Sequence, residues 1–84
     1  MISGTEYFAI LDRHNVASAF DPAPDGTRWL VPLDGSNPLD ALADIAAVAG
    51  MTVAEALAGS AAGLYGEGSI SIPAVRVNAG RSGF

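Results

Sequence analysis

The sequence predicts an α+β fold: a short N-terminal helix, a β-hairpin, a two-helix unit with helix-turn-helix-like spacing, and a C-terminal strand with an extended tail. Three observations carry this reading. Helix-start patterns stand at Ser3-Gly4-Thr5-Glu6, Asn37-Pro38 and Thr52-Val53-Ala54-Glu55. Strand formers lie on both sides of a proline- and glycine-bearing turn between residues 16 and 33. Polar–apolar alternation marks Ser69-Ile70-Ser71-Ile72. The helices are expected on one face of a small antiparallel sheet.

The first helix spans residues 4–13. Ser3 and Glu6 form a capping box, in which a hydroxyl and a carboxylate three residues apart satisfy each other's backbone N–H groups. Tyr7, Ile10 and Leu11 share one helical face, and Asn15 suits a left-handed cap. The hairpin follows. Val16-Ala17-Ser18-Ala19-Phe20 leads into Asp21-Pro22-Ala23-Pro24-Asp25-Gly26, a strong turn signal. Thr27 to Leu33 returns as a strand. Pro32 lacks a ladder donor, so this strand ends there or lies at an edge.

Asn37 caps the second helix, 38–49, with Pro38 at its first position and Asp40 in its first turn. Leu39, Leu42, Ile45, Ala46 and Ala49 form its apolar stripe, with Asp40 and Asp44 away from it. Gly50 stops it. The second capping box, Thr52 to Glu55, opens a third helix over 53–63 with a buried face of Val53, Ala56, Leu57, Ser60 and Leu64. Ala58 and Ala62 then lie four apart, where small side chains let another backbone approach. A glycine-rich connector reaches Gly68, and a strand runs through Ile70 and Ile72. Pro73 interrupts it before Val75-Arg76-Val77 resumes the alternation. Residues 1–77 are read as one domain and 78–84 as a tail. The expected core is Tyr7, Ile10, Leu11, Phe20, Trp29, Leu30, Leu42, Ile45, Val53, Leu57, Ile70 and Ile72.

Composition narrows the function classes. Cysteine is absent, which removes disulfides and thiolate metal sites. The net charge is −5 with no lysine, so a nucleic-acid partner is not expected: a phosphate backbone repels this balance unless the cations cluster. The alanine- and glycine-rich, lysine-free usage, with arginine as the only cation, fits a GC-rich coding bias. No signal peptide is visible, and Asp44 and Glu55 interrupt the longest apolar stretch, so a soluble protein of cytoplasm or virion is expected. Only 7% of residues are aromatic. The core is therefore built largely from small side chains, and docking on another surface is a route to added stability.

No catalytic constellation emerges. His14 is the sole histidine. With Asp12 nearby it makes two potential ligands, too few for a transition-metal site. Asp21, Asp25 and Gly26 lack the ordered ligand spacing of a calcium loop. Gly59-x-x-x-Gly63 comes at the end of a helix rather than before one and has no lysine after it, unlike a phosphate loop. Ile45-Ala46, Gly50 and Met51-Thr52 resemble the core of a helix-turn-helix motif, yet the exposed positions Thr52, Ala54, Glu55 and Ala58 offer no base-reading cation.

The expected function is a non-enzymatic structural or interaction subunit, with no cofactor and no metal. It assembles with itself or with a larger complex, a phage head or tail accessory protein being one setting. The alternative is a helix-turn-helix-like regulatory protein or an acidic inhibitor, binding a partner protein or DNA. Candidate partner contacts are Ala58 and Ala62 on the third helix, and Arg81 and Phe84 on the tail, since arginine and aromatic residues are favoured interface anchors.

Overall fold

A computed structural model describes residues 1–20 and 27–78, with Phe20 described in its backbone only. The turn expected at Asp21 to Gly26, the core position expected for the Phe20 side chain, and the contacts expected at Arg81 and Phe84 lie outside the described residues. The elements run β1 (Ile2–Ser3), α1 (Gly4–His14), β2 (Val16–Phe20), β3 (Arg28–Pro32), α2 (Pro38–Ala49), α3 (Val53–Ala56), β4 (Ile70–Ser71) and β5 (Val77–Asn78). The fold is α+β.

Local chemistry sets the helix ends as the sequence implies. Ser3 and Glu6 close the capping box of α1, and Asn15 takes the left-handed cap at φ 56°. Asn37 accepts from the Leu39 N–H at the start of α2, and Gly50 ends it at φ 75°. Leu42, Ile45 and Ala46 are fully buried along α2, and Ala41 joins them. Leu39 is 46% exposed rather than in the stripe. It lies in the first turn, toward the flank of the helix.

β2, β3 and β4 form an antiparallel sheet in that order. Leu30 on the central strand pairs with Ser18 and with Ile70. Tyr7 of α1 reaches this sheet through a 2.9 Å bond between its hydroxyl and Ser18 Oγ. Burial pushes the Tyr7 pKa up, against the Ser18 bond and the nearby Arg28 charge. The Arg28 guanidinium lies over the Tyr7 ring at 5.4 Å. The core gathers Tyr7, Ile10 and Leu11 of α1, Leu42 and Ile45 of α2, and Leu30 and Ile72 from the sheet side.

Two features depart from expectation. β1 pairs in parallel with β5, Ile2 with Val77 and Ser3 with Asn78, which buries Ile2. The second departure is the third helix. It covers one turn, Val53–Ala56, and then the chain turns away. Gly59 and Gly63 take φ values of 76° and 89°, where a helix cannot continue. Instead Ala62 forms an antiparallel bridge with Ile70, and the Ser71 N–H donates to Ala61 O at 2.9 Å. Val53 is 41% exposed as a result, Leu64 is exposed, and Leu57 and Ile70 are partly buried; Ala56 fills the core position.

Candidate functional site

The segment after α3 is organised by two buried serines. Ser69 accepts from the Tyr65 N–H at 3.2 Å and donates to Gly66 O at 2.7 Å. Its own carbonyl accepts from the Gly63 N–H, and its N–H donates to Gly66 O. Ser71 Oγ accepts from the Ala61 N–H at 2.8 Å. Neither hydroxyl is exposed to water, so each bond stands in a low-dielectric setting where losing it is costly. These contacts hold residues 61–68 as a braced loop beside β4.

That loop carries Leu64 and Tyr65 outward, 61% and 38% exposed. One edge of the Tyr65 ring meets Trp29, with centroids 5.5 Å apart and planes at 68°. Trp29 is buried, and its indole N–H has no hydrogen-bond partner among the described residues. Further large apolar side chains stand exposed elsewhere: Leu33 and Leu39 around the start of α2, and Val48 and Val53 on either side of Gly50.

The predicted contacts separate on this structure. Ala58 lies in the turn after α3, and Ala62 lies in the bridge to Ile70. Both are exposed, but they share no helical face, because the helix that would align them ends at Ala56. The α2–Gly50–α3 corner has the left-handed bend of a helix-turn-helix. Its second helix is a single turn that presents Glu55, and no cation stands within it. The sequence reading gives 63–68 only as a glycine-rich connector; the bracing by Ser69 and Ser71 escapes it, because polar positions of an alternating strand are expected to face water and these two are buried.

His14 and Asp44 form the main charged contact. His14 Nε2 is 2.7 Å from Asp44 Oδ2, and Arg13 lies 3.5 Å from the same oxygen. This pair links the last turn of α1 to the middle of α2. The His14 hydrogen bond lowers the Asp44 pKa; slight desolvation opposes it, and Arg13 adds to the lowering. Asp12, the partner suggested by sequence, is not the one His14 uses. No cluster of three or more potential metal ligands exists among the described residues.

An open cleft of about 540 Å³ lies between the start of α2 and the braced loop. Pro32, Pro38, Leu39 and Ile70 supply its apolar walls, and Glu67 is the one ionisable side chain among its described lining residues. A single carboxylate offers no acid–base pair of the kind general catalysis uses. No described helix is long and apolar enough to cross a membrane. No protein-family model, curated protein or solved structure matches this chain.

Proposed function

We propose that this chain is a non-enzymatic interaction subunit that assembles with copies of itself or within a larger complex, with a phage head or tail accessory role as one setting. The observation that carries the reading is the braced loop. Buried serine hydroxyls are used to hold Leu64 and Tyr65 in solvent. A rigid loop presenting large apolar groups has little conformational freedom left to lose when those groups are covered. Tyrosine is among the residues that dominate interface energetics.

Charge supports the same reading. The described cations are engaged internally or dispersed: Arg13 on Asp44, Arg28 on the Tyr7 ring, and Arg76 in the segment before β5. The test is light scattering from about 10 µM to about 1 mM, a range that detects the affinities of weak to moderate assemblies. The expected result is a mass that climbs with concentration. A constant mass of 8.5 kDa across the series contradicts self-assembly.

A further inference from the structure

The outer edge of β2 is an open strand edge, and backbone geometry specifies which groups it offers. The Leu33 N–H donates to Asn15 O at 3.2 Å, which marks Asn15 and Leu33 as a hydrogen-bonded pair. Antiparallel ladders alternate bonded and non-bonded pairs. In the observed register, Ala17 with Val31 and Ala19 with Trp29 are then bonded pairs, and their backbone groups face β3. Val16, Ser18 and Phe20 turn theirs outward. A second contact agrees with this alternation. Arg28, Leu30 and Pro32 must face the β4 side, and Arg28 O does accept there, from the Ile72 N–H at 3.0 Å.

β2 ends the strand order, and no described strand meets its outward groups. The opposite side of the sheet differs, because Ala61 and Ala62 cover β4. Proteins guard open edges with charge, proline or a bulge. β2 has none of these: its sequence is Val-Ala-Ser-Ala-Phe, and it pairs residue for residue with β3. Ala17, Ser18 and Ala19 are all half-buried.

We propose that this edge pairs with β2 of a second copy, antiparallel about a twofold axis at Ser18. The proposal rests on the interaction-subunit reading and names its partner. The outward set of Val16, Ser18 and Phe20 is symmetric about Ser18. Self-pairing therefore satisfies all of it, with roughly six backbone hydrogen bonds. Ala17 then stands opposite the partner's Ala19, so small side chains meet and no like charges are opposed. Each copy carries a net charge of −5, and this uncharged strand is where two acidic chains approach at least electrostatic cost. Salt screens the remaining repulsion, so association strengthens with ionic strength. Binding of a basic partner would weaken instead.

Amide hydrogen exchange on the full chain tests this, run on concentrated and diluted samples with sedimentation in parallel. The Ser18 N–H is expected to be protected in the associated form and to lose protection on dilution. The Trp29 and Val31 amides, which face β2 within one chain, stay protected throughout. The double variant Ala17→Lys with Ala19→Lys opposes lysines across the axis and is expected to weaken association by about tenfold or more. Retained protection at Trp29 and Val31 shows that this variant is folded. A Ser18 amide that exchanges freely in the associated form overturns the edge pairing and leaves the interaction reading standing on another surface. An unchanged association constant in the lysine variant has the same meaning. A chain that stays monomeric throughout overturns both the pairing and self-assembly.

Discussion

Asp44 is a residue whose environment makes a signed prediction. Its carboxyl is held below the usual range by His14 first and by Arg13 as a further contributor. A group with a lowered folded-state pKa stabilises the fold above its unfolded-state pKa, and that contribution disappears as pH falls through the folded value. Asp44→Asn should therefore be less stable than the parent at pH 6. The gap should close as the solution is acidified through the carboxylate range. Urea titrations at stepped pH check this, and a gap that widens in acid contradicts it.

Two further residues share one argument with opposite signs. Ser69 is buried and fully bonded, so Ser69→Ala leaves the Tyr65 N–H without its acceptor and costs about 1–3 kcal/mol. Trp29 is buried with an N–H that no described residue accepts. Trp29→Phe removes that orphaned donor along with some ring volume, and the two effects offset to within about 1 kcal/mol. Urea midpoints for both variants measure the contrast. A Trp29→Phe loss larger than that for Ser69→Ala would show that ring packing, and not donor satisfaction, governs this corner.

Among the elements, those built from local signals were legible. Capping residues, Pro38 and Gly50 mark the ends of α1 and α2, and the hairpin strands carry their own propensity. The third helix was not legible to the same degree. Alanine content favours a helix from residue 53 to 63, but two kinds of contact win instead: Ser71 reaches back ten residues to Ala61, and Ser69 closes a local turn with Tyr65 and Gly66. β1 and β5 are two residues each, too short for any periodicity to register. Of the contact residues proposed from sequence, Ala58 and Ala62 are exposed but unaligned, because their alignment depended on that helix. The apolar residues that do stand out, Leu64 and Tyr65, fall by sequence pattern on a buried helix face and in a connector, neither of which marks them as exposed.

Glycines at two element ends give a prediction of relative size. Gly50 and Gly68 both have positive φ, at 75° and 85°. A Cβ at Gly50 meets nothing within 4 Å, whereas one at Gly68 lies 3.1 Å from the Pro32 ring. Gly50→Ala should cost about 1–2 kcal/mol, the left-handed backbone penalty alone. Gly68→Ala should cost more, since a proline ring has little room to yield. Thermal melts of the two variants rank them, and the reverse order contradicts the steric account.

At the scale of the whole molecule, the fold does not need a partner to close its core. The accessible surface is 4689 Å², and a compact monomer of this mass is expected to show about 4,700 Å². Small side chains such as Ala41, Ala46 and Ala56 fill the interior that few aromatics left available. The apolar groups left outside are therefore features of a finished surface, and the proposed association would join folded chains without completing an unfinished one.

Sedimentation equilibrium at low and high salt tests the proposed pairing of two folded chains most directly. The account predicts dimers in equilibrium with monomers, and a dimer fraction that grows when salt is added, as expected for two acidic chains meeting along an uncharged strand. A single species of monomer mass at every concentration and salt would contradict it.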